Sequence, residues 1–393
     1  GGRGQVGLIT YMRTDSTRVA GSAIGEARDW LTKEFGANYL SEKARSWGGQ
    51  QSKGAQDAHE AIRPTDVTIT PAEAAKHLES GLARLYELIW LRFVTSQMAP
   101  AVYDTTTVEF DLSGSAGRTF TYRSTGSVLK FAGFTKLYEE ATEAGDHRRL
   151  GDLDPLPDLN EKDVADLERI EPKQHFTQPP PRFSEASLVK ELEQEGIGRP
   201  STYAAIIATI VDRGYVRKKG TSLIPTFLAF SVTRLMEQHF AALVDYGFTA
   251  RLEEILDLVA NASTDRLRVL EGFFYGDPTR DFPGLDALVS GLGEIDARAM
   301  ASFPVTADGL SEAPITGAPD EVVLRVGKYG PYLERGAEKG NIGEDVAPDD
   351  LDLAMAEELL SAPSGDRVLG VHPESGREIV AKAGRYGPYV TEV

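Results

Sequence analysis

The chain has 393 residues, 41% of them hydrophobic and 26% charged, with a formal net charge of −18 and no cysteine. That length exceeds one ordinary core and predicts roughly two to four domains. It excludes disulfides, thiol nucleophiles and Cys-ligated zinc, a bilayer-spanning run of ~20 apolar residues, and a surface basic enough to coat nucleic acid everywhere. Charge is nonetheless uneven. The stretch Glu139–Glu171 is dense in Asp and Glu, whereas Gly1–Arg63 and Arg182–Lys219 are well supplied with Arg and Lys. Such a pattern predicts a local basic groove on an acidic molecule. The six histidines show no metal-ligand spacing, and Ala58-His-Glu-Ala61 lacks the second histidine of a zinc-protease helix. Val6–Tyr11 lacks the features of a signal peptide. Because Gly1 is not a start methionine, the chain is expected to be a fragment.

In chain order, Val6–Tyr11 reads as a strand. The cluster Thr14-Asp-Ser-Thr17 is placed to cap a helical stretch running to Phe35. Gly48–Gly54 is a polar loop, Pro71 opens a helix, and Leu82–Met98 is helical, with Leu85, Leu88, Ile89 and Val94 at helical spacing. Thr105–Leu112 and Arg118–Arg123 alternate around a Gly/Ser turn as a hairpin, with a further strand over Val128–Tyr138. The acidic stretch that follows is a solvated loop, and Pro179–Pro181 a stiff linker. Ser184 and Ser187 start a helix through Glu195 that Gly196 ends. Tyr203–Asp212 is a second helix, so the pair forms a helix-turn-helix. Val323-Leu-Arg-Val-Gly-Lys-Tyr-Gly-Pro-Tyr-Leu333 recurs as Val380-Ala-Lys-Ala-Gly-Arg-Tyr-Gly-Pro-Tyr-Val390. This internal repeat is a strand, a basic aromatic turn and a second strand. The fold class is therefore multi-domain α+β: a helical domain at 1–98, a strand-rich one at 99–178, a second helical one at 179–302, and small β repeats at 303–361 and 362–393.

The segment Thr10-Tyr-Met-Arg-Thr-Asp-Ser16 is the richest in chemistry. A phenol can attack phosphorus once it sheds its proton, provided that the charge developing on the phosphate is neutralised. In a strand, Arg13 would lie on the same side as Tyr11, and its planar fork suits a phosphate. The segment is equally a strand-end tyrosine followed by a helix cap. Arg199, Ser201 and Thr202 stand at a helix start, where free N–H groups, an arginine and two hydroxyls favour phosphate; an N-cap with a solvated arginine is the alternative. Tyr203 could stack a base or anchor its helix. In the repeats, Tyr329, Tyr332, Tyr386 and Tyr389, flanked by Lys328 and Arg385, are either a stacking platform for single strands or turn aromatics that build a small β-core.

Tyr11-Met-Arg-Thr-Asp-Ser16 resembles the active-site motif of the type IA DNA topoisomerases, in particular the bacterial topoisomerase I group. Three further segments fall in that family's order. Asp57-Ala-His-Glu-Ala-Ile-Arg-Pro-Thr65 is similar to its backbone-binding histidine motif. Arg182-Phe-Ser-Glu-Ala-Ser-Leu-Val-Lys-Glu-Leu-Glu193, with Gly196-Ile-Gly-Arg-Pro-Ser-Thr-Tyr203 and Asp212-Arg-Gly-Tyr-Val216, is similar to its single-strand-binding region. Asp245-Tyr-Gly-Phe-Thr-Ala-Arg-Leu-Glu253 is similar to a later helical motif. The repeats resemble the cysteine-free C-terminal repeats of actinobacterial members. The resemblance implies that Tyr11 forms a 5′-phosphotyrosyl link, that Arg13 stabilises the phosphate, and that His59 and Arg63 contact DNA, as do Arg199, Ser201, Thr202, Lys328, Tyr329, Arg385 and Tyr386. It implies relaxation of negatively supercoiled DNA without ATP, in keeping with the lack of a P-loop in the sequence. It also implies a monomer in the cytoplasm at the nucleoid, with DNA as partner, transcription or replication proteins as further partners, and no membrane.

The family also uses an acidic domain that holds Mg²⁺. Asp152-Leu-Asp154 and Asp350-Leu-Asp352 carry an Asp-x-Asp pattern but read as loop acids, so no metal ligand is assigned in this chain. The expectation is that the metal-binding domain precedes Gly1, that more repeats follow, and that the fragment alone does not complete a relaxation cycle. The rival reading is a non-catalytic single-stranded DNA-binding module. A recombinase or a replication-initiator nuclease would need arginine–histidine sets or a His-hydrophobe-His motif that the sequence does not show.

Overall fold

A computed structural model describes residues 6–14, 16–47, 60–114, 117–138, 151, 153–277, 282–343, 345–361, 367–373, 375–384 and 387–392. The chain divides into two compact units, Gly1–Pro181 and Arg182–Val393. No helix among the described residues is long and apolar enough to cross a membrane.

The first unit is built on helices α1 (Gly21–Phe35), the short α2 (Pro71–Ala74) and α3 (Ser80–Ser96). Ala23, Ala27 and Leu31 recur every fourth residue and bury one face of α1. They meet Tyr86, Trp90, Phe93 and Val94 of α3 in one core. Trp30 and Trp90 pack edge to face at 4.9 Å. The Trp90 indole donates to the Val67 carbonyl (3.0 Å) and the Tyr86 hydroxyl to the Ile69 carbonyl (2.7 Å), which fixes the loop before α2. Of the apolar residues at helical spacing, Val94 is buried while Leu85 and Leu88 are exposed. Alpha3 is apolar around more than one face, and the face with the larger aromatic side chains takes the core. Alpha1 also begins later than the Thr14–Thr17 cluster suggests: its N-cap is Ala20, which makes no side-chain cap bond.

After α3 comes a long antiparallel hairpin of β1 (Val102–Ser113) and β2 (Thr119–Phe131), paired from Ser113–Thr119 to Val102–Phe131. The separate strand expected from Val128 is the continuation of β2, and a 3₁₀ turn at Gly133–Lys136 follows it. Gly126 does not break β2, because it serves a crossing. A Cβ there would lie 2.6 Å from the Leu156 backbone nitrogen and 2.7 Å from the Asp154 oxygen. Residues 157–181 form no regular helix or strand and are mostly exposed.

The second unit opens with α4 (Glu185–Glu195) and α5 (Tyr203–Asp212). A reciprocal cap starts α4: the Ser184 N–H donates to the Ser187 hydroxyl (2.8 Å) and the Ser187 N–H to the Ser184 hydroxyl (3.1 Å). Gly196, at φ 73°, ends the helix in the left-handed region. A basic hairpin of β3 (Val216–Lys219) and β4 (Ser222–Pro225) follows, and Ser184 bridges to Ser222. Helix, turn, helix and wing are thus joined. Helices α6 (Phe227–His239), α7 (Ala241–Val244), α8 (Tyr246–Ala260), α9 (Arg266–Tyr275), α10 (Leu285–Ser290) and α11 (Ala297–Met300) come next.

Five strands then form an antiparallel sheet in the order β6-β5-β7-β8-β9: β5 (Ser302–Thr306), β6 (Gly309–Leu310), β7 (Val323–Gly327), β8 (Gly330–Arg335) and β9 (Glu338–Asn341). Helix α12 (Leu353–Ser361) buries Ala356 and Leu360 in the same core. That core also takes Phe227 of α6, with Phe230 packed against it. A three-stranded sheet of β10 (Arg367–Val371), β11 (Glu378–Gly384) and β12 (Gly387–Glu392) ends the described chain. Its Gly384–Gly387 pair closes a two-residue turn in the register of Gly327–Gly330, as the internal repeat requires.

Leu31 is fully buried between α1 and α3. Leu31→Ala is expected to destabilise the first unit by about 3 kcal/mol, measured by denaturant unfolding followed through tryptophan fluorescence. A loss under about 1 kcal/mol would show that the site collapses around the cavity.

Candidate active site and strand-binding elements

The segment carrying Tyr11 is held by residues more than fifty positions away. The Thr10 N–H donates to the Arg63 carbonyl (2.9 Å) and the Thr65 N–H to the Leu8 carbonyl (3.0 Å), around an antiparallel bridge between Ile9 and Pro64. The Thr10 hydroxyl donates to the Ala61 carbonyl (2.8 Å) and accepts from the Arg63 N–H (3.0 Å). The Thr65 hydroxyl donates to the Gly7 carbonyl (2.7 Å). Two of the motifs singled out in the sequence are therefore one local structure. Tyr11 follows at once, 70% exposed.

The pairing stops at Thr10. The Arg13 N–H donates to the Tyr11 carbonyl (2.9 Å), a tight turn centred on Met12. Strand alternation therefore does not set the direction of Arg13, which is half-buried while Met12 is exposed. Beyond the turn the chain is tied again to the second motif. The Ala61 N–H donates to the Arg18 carbonyl (2.8 Å), and the Ala20 N–H donates to Glu60 Oε1 (2.8 Å). These bonds hold residues 16–20 extended and explain why α1 starts at Gly21 rather than after the Thr14–Thr17 cluster.

Glu60 and Arg63 form the base of the site. Arg63 Nε and Nη2 donate to the two Glu60 oxygens at 2.8 and 3.1 Å, and Nη1 donates to the Pro64 carbonyl (2.9 Å). The Arg63 side chain is 13% exposed. A phosphate reaching it would have to compete with Glu60. Burial works against the Glu60 charge, but the bonds from Arg63 and Ala20 and the charges of Arg63 and Arg18 outweigh it and hold the carboxyl below its ordinary range. His59 lies outside the described residues.

In the second unit, Arg199 stands in the turn between α4 and α5. Its Nη2 and Nε donate to Asp257 Oδ2 of α8 at 2.8 and 3.2 Å, and Nη1 donates to the carbonyls of Gly198 (2.7 Å) and Gly196 (3.2 Å). The guanidinium thus braces the turn against α8. Thr202 Oγ1 accepts from the Arg199 N–H (2.9 Å) and donates to the Arg199 carbonyl (3.0 Å), while Ser201 is exposed. Tyr203 is half-buried, and burial, then the Glu193 carboxylate, raise its phenol above the ordinary range against the pull of Arg199. Sequence reasoning missed the wing, which carries Arg217, Lys218 and Lys219. Its signal was Lys219-Gly220 between two short apolar-flanked runs, with Gly220 at φ 62°.

Lys328 and Tyr329 form the tip of the β7–β8 turn, with Tyr329 80% exposed and the Lys328 ammonium 5.7 Å from its ring centre. Arg385 and Tyr386, which match Lys328 and Tyr329 in the sequence repeat, lie outside the described residues, as does Asp152. Asp352 accepts the Met355 N–H (2.8 Å) at the start of α12. Among the described residues no three His, Cys, Asp or Glu side chains converge as a metal site.

Two outcomes are expected. The folded-state pKa of Glu60 lies below the ordinary 4.5, so its contribution is fully present above pH 4.5 and is lost as pH falls through the lower folded value. Thermal melts across the acid range should show wild type losing more stability below about pH 4.5 than Glu60→Gln; equal losses would refute this linkage. Arg199→Ala strands a partly buried Asp257 and two carbonyls, and should cost about 2–4 kcal/mol in denaturant unfolding without any DNA present. A cost near zero would show the bracing to be dispensable.

A family model described as DNA topoisomerase matches residues 5–271, and one described as topoisomerase C-terminal repeat matches 317–367 and 372–393. The DNA topoisomerase 1 of Streptomyces coelicolor is 46% identical over 98% of this chain and 41% of its own length. That of Mycobacterium tuberculosis (strain H37Rv) is 43% identical over 98% of this chain and 43% of its own. The full-length topoisomerase I of Thermotoga maritima, a solved structure, aligns with a TM-score of 0.59 and 32% identity, covering 87% of this chain and 51% of that one. The chain spans about two fifths of the length of the curated relatives it matches. With the first family model covering more than half of its residues and the repeats following in order, the chain belongs to the bacterial type IA DNA topoisomerase family.

Proposed function

We propose that this chain forms part of an enzyme that opens one DNA strand through Tyr11, lets another strand pass, and reseals the break, relaxing negatively supercoiled DNA without ATP. The observation that carries this reading is the exposed Tyr11 at the end of a segment locked to residues 60–65. A nucleophile must be accessible to a polymer while its backbone is held still, and this arrangement meets both demands.

In the proposed step, the Tyr11 Oη–H bond breaks and a P–Oη bond forms as the P–O3′ bond breaks. The 3′ oxygen leaves and ends as a hydroxyl, and the 5′ end stays on the protein. Resealing is the reverse, with the 3′ hydroxyl attacking the phosphotyrosyl ester. The ester conserves the bond energy, so no nucleotide is consumed. Arg13 is assigned to the charge on the phosphate, and His59 to a neighbouring phosphate. In this reading residues 1–98 carry the nucleophile, 99–178 the hinge and 179–302 the strand-binding region, with Arg199, Ser201 and Thr202 at its helix start and Lys328, Tyr329, Arg385 and Tyr386 on the repeats at 303–361 and 362–393. Mg²⁺ is assigned to the whole enzyme, and each of these roles belongs to a protein side chain. The substrate is single-stranded or underwound DNA, which places the enzyme in the cytoplasm.

The test is a chimera in which these residues replace the matching stretch of the Streptomyces coelicolor relative. It is mixed with end-labelled single-stranded DNA and quenched with denaturant. A covalent adduct is expected that Tyr11→Phe abolishes, with Arg13→Ala lowering the cleavage rate about 100-fold. DNA binding without an adduct would favour the non-catalytic binding module, and an adduct surviving Tyr11→Phe would assign another nucleophile.

A further inference from the structure

Arg234, the one arginine of α6, is buried, its side chain 8% exposed, and the assigned function makes no use of it. It lies one turn beyond Phe230 and two beyond Phe227, on the helix face that joins the core of the five-stranded sheet. Nε donates to Glu312 Oε2 (2.7 Å), Nη1 to the Ser302 carbonyl (2.6 Å) and Nη2 to the Ser311 carbonyl (3.4 Å). The guanidinium carbon sits 3.5 Å from the centre of the Phe303 ring. Every one of these partners belongs to β5 or to the loop after β6, none to the winged-helix segment that supplies the arginine.

Two more arginines cross the same boundary. Arg217 of the wing donates to the Asp345 carbonyl, and Arg182, at the entry to α4, pairs with Asp349. These three arginines are polar ties added to the apolar packing of Phe227 and Phe230 against the sheet's core. A buried charge is costly to keep, and such groups are better suited to fixing one arrangement than to adding stability. A fork with a carboxylate, two carbonyls and an aromatic ring around it defines one position.

We propose that Arg234 is a positioning residue for nucleic-acid binding. It locks the first C-terminal repeat onto the winged helix, so that the wing, with Lys219 exposed at its tip, and the Lys328–Tyr329 turn hold one single strand as a unit, not as two tethered binders. The proposal rests on the DNA-binding reading above. Rigid linkage turns the second contact into an intramolecular event whose effective concentration is set by fixed geometry, and spares the ordering cost that a loose tether would carry.

The test uses the 393-residue chain and fluorescence anisotropy with oligo-dT of about 8 and about 25 nucleotides, lengths that one or both elements can occupy. Wild type should prefer the longer strand. Arg234→Met and Glu312→Ala should weaken binding of the longer strand about tenfold and leave the shorter within about twofold, a length dependence that general destabilisation does not produce. Should Arg234→Met fail to fold, a second measurement decides. The chain has no cysteine, so spin labels at Thr221→Cys and Asp320→Cys report one distance between wing and repeat. A single narrow distribution is expected, broadened in Glu312→Ala. A broad distribution without that change, or variants that fold and keep the full preference for the longer strand, would overturn the proposal. Failure of wild type to bind either strand would instead overturn the DNA-binding reading, and this proposal with it.

Discussion

The arrangement around Tyr11 depends on a few hydrogen bonds exchanged between residues 7–10 and 61–65. Thr10 is central, since both its N–H and its hydroxyl bond to the Ala61–Arg63 backbone. Leu8 and Ile9 also pack against the helical core, but they fix the segment from one side only, before Tyr11. With the Thr10 bonds, the Tyr11 backbone is tied to the segment that carries Glu60 and Arg63. Their fork is itself a scaffold: Glu60 satisfies both Arg63 and the Ala20 N–H, so one carboxylate joins the second motif to the start of α1. The helical core then only has to hold α1 and α3 together for the nucleophile to be in place.

The second unit follows the same economy with arginines. Arg199 gathers Asp257 and two turn carbonyls, while Arg234 gathers Glu312, Ser302 and Ser311. Each serves several acceptors with one planar group, as a guanidinium can and an ammonium cannot. This use of arginine bears on how a basic stretch is read. A strongly acidic chain can spend some of its arginines on its own carbonyls and carboxylates, and leave lysines such as Lys219 and Lys328 exposed.

What the sequence made legible was local. The caps of α4, its glycine stop, the bounds of α5 and the two Gly-closed repeat turns follow from residues within one or two turns of each other. What it hid was distant. Nothing in Thr10-Tyr11 announces Ala61 or Arg63 as hydrogen-bond partners, and nothing near Arg199 announces Asp257. For both arginines the structure supplies partners inside the protein that the sequence does not announce. The inward face of α3 is not legible from helical spacing for a related reason: with apolar residues around much of the helix, Tyr86 and Trp90 take the core and Leu85 and Leu88 do not. The tight turn at Met12 was likewise invisible, because the segment around it alternates as a strand would.

The β1–β2 hairpin has a mechanical consequence. At about 3.4 Å per residue its twelve paired positions make a ribbon about 40 Å long. Both strands leave it at the same end, into the helical block, through Ala99–Ala101 and Ala132–Lys136. Tension between the ribbon's tip and the helices is therefore carried by two covalent backbones in parallel, and no interstrand hydrogen bond is sheared. Bending instead concentrates where the two chain passes meet. There Gly133, at φ 50°, lies so close to Pro100 that an added Cβ would fall 2.4 Å from its carbonyl group. Stiff along its length and thin at its root, the ribbon behaves as a cantilever held at its base by the Gly133–Pro100 contact, by the Phe134 N–H donating to the Ala99 carbonyl (2.9 Å) and by the Tyr39–Phe131 ring pair.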